Sequence, residues 1–328
     1  MGTPEFAVES LKTLVEDGYN VVAVVTQPDK PVGRHGSVLQ ASQVKQYALA
    51  HNIPVLQPEK MKNEEFIEQL RSYQADLQVV VAFRMLPEVV WAMPRFGTFN
   101  VHASLLPQYR GAAPINWAVI NGETETGVTT FFLDHEIDTG RIILQERMPI
   151  SLTDDVGTVY DKLMVKGAEI CKQTVNLVLE KGNDIPTREQ SETIVPLRPA
   201  PKIFKDTCRI DWSQNPKQIY DFIRGLSPYP GAWTMFTDSE GREQQLKVYK
   251  AELTDENDGS LRNPQGKLGS PTNENDNDNE NRITVKPYNR KLNGIPQGLQ
   301  LLEVQLAGKK RMSMSDFLNG LHGEYQVK

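Results

Sequence analysis

The chain has 328 residues, 39% hydrophobic and 24% charged, which is more than one ordinary domain needs and enough apolar side chains for two cores. No run approaches the roughly 18 apolar residues of a membrane span. The opening MGTPEFAVESLK lacks the layout of a secretion signal, and two distant cysteines, Cys171 and Cys208, exclude a disulfide scaffold or a CxxC metal site.

A soluble, non-exported protein of a reducing compartment is therefore expected. The net charge of −6 argues mildly against a nucleic-acid partner, but the charge is unevenly spread. Residues 1–194 hold 17 basic and 25 acidic side chains, whereas 195–328 hold 19 and 17. Without the polar stretch 255–282, with 3 basic and 7 acidic residues, the second half is clearly basic. Such an imbalance suits either a phosphate-binding face or an ordinary solvated surface.

In chain order, Phe6–Glu16 has the apolar spacing of a helix, and the run 21–26 reads as a buried strand. Helices are expected at 44–51 and 64–73, strands at 77–82, 127–133 and 142–144, and a closing helix at Val156–Lys181. Strands alternating with helices imply an α/β domain with a mainly parallel sheet covered on both faces. Residues 184–202 carry four prolines and no clear period, which predicts a linker between domains 1–183 and 203–328. Beyond it, Pro216–Gly225 reads as a short helix and the remainder as short strands of a small barrel. The Asn/Asp/Glu-rich part of 255–282 cannot bury apolar surface and is expected to be a disordered loop.

The chemistry concentrates in Asn100-Val101-His102-Ala103-Ser104-Leu105-Leu106-Pro107 and the Tyr109-Arg110-Gly111 that follows. On an extended backbone, Asn100 and His102 point to one face with Val101 on the other. A carboxamide beside an imidazole can stabilise an oxyanion forming on a carbonyl carbon while the imidazole manages the proton of an attacking amine. Acyl transfer is the reaction class this pair suits. Downstream, Asp134-His135-Glu136-Ile137-Asp138-Thr139-Gly140 lies between two predicted strands and could supply a carboxylate to orient His102. A lone histidine is more often a satisfied, partly buried residue, and Asp and Gly serve turns without chemistry, so the clustering carries the functional reading.

The segments NVHASLLPQYRGAAPI, TGVTTFFLDHEIDTGRII, QPDKPVGR and LQLLEVQLAGKKRMSMSDFLNG together resemble the methionyl-tRNA formyltransferase family over nearly the whole chain. The Asn-x-His pair, the distant Asp and the SLLP run are similar to the wider group of 10-formyltetrahydrofolate-dependent enzymes, which includes sugar-amine formyltransferases. That resemblance implies a Rossmann-like formyltransferase domain followed by an OB-like β-barrel, and formyl transfer from 10-formyltetrahydrofolate to the methionyl amine of initiator methionyl-tRNA. It implies Asn100, His102 and Asp138 as the catalytic set, with no metal. It further implies that Ser104, Leu105, Leu106 and Pro107 contact folate and that Phe83 and Leu86, in FRMLP, line the pterin pocket.

Arg34, with Lys30 nearby, and Lys309, Lys310 and Arg311 are the tRNA contacts so implied. The implied setting is a cytoplasmic monomer. Sequences of the family begin with a short apolar strand ahead of GTPEFA, so a few residues upstream of Met1 are expected in the natural protein. Two alternatives stay open: a sugar-amine acceptor, which needs the same trio, and an RNA-binding protein that keeps the trio without turnover.

Overall fold

The computed structural model describes residues 1–32, 38–190, 195–237, 240–254, 292–321 and 325–327. Arg34 and the polar stretch 255–282 lie outside the described residues. The chain divides into two compact units, Met1–Ile203 and Phe204–Lys328.

The first unit runs α1 (Phe6–Glu16), β1 (Val24–Val25), β2 (Lys30–Val32), β3 (Val38–Gln40), α2 (Gln43–Ala50), β4 (Val55–Leu56), α3 (Glu64–Ser72), β5 (Gln78–Val81), α4 (Glu88–Trp91), β6 (Thr98–His102), α5 (Pro114–Ile120), β7 (Glu125–Phe132), β8 (Ile142–Pro149) and α6 (Val156–Lys181). Three helices start at side chains that accept the otherwise unpaired N–H groups of the first turn: Ser42 for α2, Asn63 for α3 and Asp155 for α6. β1 pairs with β4 in parallel, and Met1 and Gly2 lie between β1 and β5, with Gly2 N–H donating to Val25 O and Val81 N–H donating to Met1 O.

From β5 the sheet continues through β6, β7 and β8. β5 and β6 are parallel, but β6–β7 and β7–β8 are antiparallel, so the expected parallel sheet carries an antiparallel edge. The reason for the last pair is length: a parallel neighbour needs a crossover of about a dozen residues or more, and the connection from β7 to β8 is shorter.

Alternation along the strands separates two cores. On one face Phe6, Val44, Ala48, Leu163 and Ile170 of α1, α2 and α6 pack with Val81, Phe99 and Val101. On the other, Phe66, Ile67 and Leu70 of α3 and Val90 of α4 pack with Val25, Leu56 and Val80. Since Phe99 and Val101 of β6 face the first core, Asn100 and His102 face the opposite side.

The segment expected to be a linker is hydrogen-bonded to the first unit. Arg188 and Ile142 exchange both backbone bonds, Tyr109 N–H donates to Arg198 O at 2.7 Å, Ala200 N–H to Arg110 O at 2.8 Å, and the Trp117 indole to Pro201 O at 2.8 Å. Four prolines disfavour a helix or strand here, but several polar groups among its described residues find partners in the first unit.

The second unit contains α7 (Pro216–Gly225), β9 (Ala232–Thr237), β10 (Glu243–Leu253), β11 (Leu292–Asn293), β12 (Leu299–Leu306), β13 (Met312–Ser313), α8 (Met314–Asn319) and β14 (Tyr325–Val327). Asn215 and Gln218 form a reciprocal capping box that starts α7. The sheet order is β11-β14-β9-β10-β12-β13, and among the described residues no ladder joins β13 back to β11. No helix of the described residues is long and apolar enough to cross a membrane.

Candidate active site

At the end of β6, Asn100 and His102 open into a cavity of about 900 Å³. Asp138, on the loop joining β7 to β8, lines the same cavity, so the three residues expected to act as a set border one space. His102 is buried, and its Nε2 lies 2.9 Å from the carbonyl oxygen of Tyr109. A carbonyl only accepts, so in the neutral ring Nε2 carries the hydrogen and Nδ1 keeps its lone pair. Nδ1 faces Asp138 Oδ2 at 3.9 Å, too far for a direct hydrogen bond yet close enough for a carboxylate to stabilise an imidazolium. The Asp138 carboxylate is held in turn by the Gly111 N–H at 2.9 Å.

Asn100 supplies a second anomaly. Its buried Oδ1 has no hydrogen-bond partner among the described residues, a costly state for a carboxamide. Two more costs converge here, because Tyr109 and Asp138 both have left-handed backbones, with φ of 62° and 57°. For residues other than glycine each costs about 1–3 kcal/mol and persists only where the surroundings fix it.

The surroundings of Tyr109 are visible: its hydroxyl donates to Glu123 at 2.6 Å, and Arg198 binds the same carboxylate oxygen at 2.7 Å. Burial and the Glu123 bond hold the Tyr109 phenol above its ordinary pKa, so it stays a donor. Gly111 has φ of 126°, and a Cβ there would come within 2.5 Å of Ala200 O, so only glycine lets this turn pass under the returning segment.

Phe83 and Leu86 line the cavity together with Trp91, Met85 and Ile137. Arg84, between them, donates to the carbonyls of Pro58 and Glu59 and so pins the segment that carries these walls. Ser104, Leu105, Leu106 and Pro107, by contrast, do not reach the cavity wall. Ser104 is fully buried and donates to Gln108 O, Leu106 packs with Phe131 and Ile142, and the Leu106 N–H donates to the Thr129 hydroxyl. Ser104 and Leu106 thereby fix the turn that follows His102.

Among the expected tRNA contacts, Lys30, Lys309 and Lys310 are exposed. Arg311 is engaged within its own unit, its guanidinium 3.4 Å from the Tyr249 ring centre and 3.4 Å from Glu303. Sequence reasoning gave no role to Tyr160, which lines the cavity and accepts the Phe6 N–H at 2.8 Å, or to Arg110 and Gln190, which lie behind the Asp138 loop. Tyr160 was not marked by any motif, and Arg110 stood in view within the Tyr109-Arg110-Gly111 run.

Known proteins resemble the chain over its whole length. A methionyl-tRNA formyltransferase of Parabacteroides distasonis is 59% identical over all of this chain and 97% of that protein. One from Bacteroides fragilis is 56% identical over 98% of this chain and 94% of its own length. A crystallised sugar 3N-formyl transferase, solved with dTDP and 5-N-formyl-THF, shares the fold at a TM-score of 0.56 and 22% identity, covering 78% of this chain and 85% of that one. The family description "Formyl transferase" matches residues 1–175 and "Formyl transferase, C-terminal domain" matches 202–322, so the chain belongs to the formyl transferase family.

Proposed function

We propose that this enzyme transfers the formyl group of 10-formyltetrahydrofolate to the free amino group of the methionyl moiety of initiator methionyl-tRNA. The observation that carries the chemistry is the His102 ring, whose Nε2–H is committed to the Tyr109 carbonyl while Nδ1 stands open beside Asp138. The likeness to methionyl-tRNA formyltransferases over the full chain supports the acceptor.

The amine nitrogen bonds to the formyl carbon and the carbonyl oxygen becomes an oxyanion beside the Asn100 carboxamide. The proton lost by the amine passes to His102 Nδ1, directly or through a water, and Asp138 stabilises the imidazolium. Collapse of the oxyanion breaks the bond between the formyl carbon and N10, which takes the proton as tetrahydrofolate leaves. Positioning and fixed dipoles supply most of the acceleration, since the donor is already activated.

In this reading Phe83 and Leu86 belong to the apolar pocket for the pterin, and Ser104, Leu105, Leu106 and Pro107 hold that pocket in place from behind. Lys30, Arg34, Lys309, Lys310 and Arg311 bind tRNA, Arg311 from its place on the Tyr249 ring. The second unit is read as an OB-like barrel, supported by its antiparallel strands and the bulge in β10 near Val248 and Lys250. The test is a transfer assay with 10-formyltetrahydrofolate and, in parallel, methionyl-tRNA, uncharged tRNA and a nucleotide-linked sugar amine. Formylation of methionyl-tRNA alone is expected; formylation of the sugar amine alone would overturn the acceptor assignment.

A further inference from the structure

We infer that Gln190 is a positioning residue for Asp138, fixing the carboxylate at the distance from His102 that transfer requires; this rests on the formyl-transfer reading above. Gln190 comes from the proline-rich segment after α6, far from Asp138 in sequence. Its Nε2 donates to two carbonyls at once, Asp138 O and Gly140 O, each at 2.9 Å. Both hydrogens of the amide are thereby used. The orientation of the amide is not arbitrary, because Arg110 Nε and Nη2 donate to Gln190 Oε1 at 3.0 and 2.7 Å, and a guanidinium cannot face an NH₂ group in that way.

The two bonds straddle Asp138-Thr139-Gly140, the turn in which Asp138 takes its left-handed backbone. Such a conformation holds only where neighbours over-determine it. Two further contacts complete the arrangement, both on the carboxylate: the Gly111 N–H at 2.9 Å and His102 Nδ1 at 3.9 Å. Arg110 and Gly111 are adjacent in the chain. One side of this dipeptide therefore anchors Gln190, which holds the backbone of Asp138, while the next residue holds its side chain. With the Gln190 amide removed, the two carbonyls lose their donor and the turn is free to relax, carrying the carboxylate away from the imidazole.

The test uses the full chain with Gln190→Ala, Gln190→Glu, Asp138→Asn and the double variant Gln190→Ala/Asp138→Asn. Gln190→Glu keeps an acceptor facing Arg110 and replaces the donor facing the loop by a carboxylate oxygen that repels both carbonyls. Both single changes at Gln190 are expected to lower kcat roughly 10- to 100-fold, the scale of a misplacement of about 1 Å near the chemistry, with KM for donor and acceptor little changed. In the Asp138→Asn background, Gln190→Ala should cost less than about twofold, because residues acting through one another are not additive.

A kcat within about twofold of the unsubstituted chain for Gln190→Glu, or an equal loss in the Asp138→Asn background, would overturn the assignment. A second readout does not depend on the acceptor. Hydrogen exchange of the Gly111 N–H should accelerate in Gln190→Ala, and unchanged exchange counts against the inference. If the unsubstituted chain fails to formylate methionyl-tRNA, the functional reading fails while Gly111 exchange still decides whether Gln190 places the carboxylate.

Discussion

A single committed hydrogen bond decides what His102 can do. With Nε2–H given to Tyr109 O, Nδ1 is the nitrogen left open, and in the proposed transfer it acts first as base and then, once protonated, as a donor toward the oxyanion. His102→Ala is therefore expected to lower kcat by about 10²–10⁴-fold, the range of a lost general base. Asn100→Ala should lower it by about 10²–10³-fold with little effect on the donor's KM, as for one lost oxyanion donor. Single-turnover rates separate these effects from binding, and Asn100→Asp, which sets a negative charge against the forming oxyanion, should be worse than alanine. The thiols give the opposite forecast. Burial pushes Cys171 up to about 12, and both Cys171 and Cys208 are free and buried. The thiolate is the reactive form, so the native protein should resist thiol reagents that modify both cysteines after denaturation. Rapid labelling of the native chain would contradict this placement.

Among the glycines of the described residues, Gly140 in the loop between β7 and β8 has the least room for a side chain. A Cβ on Gly140 would meet Phe132 O at 1.8 Å, so Gly140→Ala must push backbone against backbone. A loss of about 1–3 kcal/mol in urea unfolding is expected, together with lower activity, because the displaced turn carries Asp138. Where local signals act alone, the sequence was enough: α1, α6 and α7 lie at Phe6–Glu16, Val156–Lys181 and Pro216–Gly225, as apolar spacing and start signals predict. The extended Asn100-Val101-His102 was legible for the same reason, since period-two alternation is written in the residues themselves. The hydrogen bonds of residues 185–203 were not legible, because proline content shows only what a segment cannot form. Ser104 and Leu106 mark a limit of another kind: closeness in sequence to His102 does not say which way a side chain turns, and here a strand end and a tight turn bury both.

At the scale of the whole molecule, charge is the broadest signal. The acidic first half and more basic second half fit a chain that must repel stray polyanions from most of its surface yet bind one of them. Binding to tRNA phosphates releases counterions, so the acceptor's KM should rise steeply with salt while the folate's changes little. Each of Lys30→Ala, Lys309→Ala and Lys310→Ala should lower the slope of log KM against log salt by about 1 if that lysine meets a phosphate. A flat dependence would remove the electrostatic account of acceptor binding. The segment that braces Asp138 also lies along β8, where Arg188 exchanges both backbone bonds with Ile142 at the outer side of the sheet. Among the described residues no other strand covers that side. An uncovered strand invites pairing with a foreign one. Conditions that peel residues 185–190 away should therefore turn a catalytic defect into self-association, detectable as light scattering that grows with protein concentration. Solubility and turnover would then fail together, because the same stretch of chain guards both.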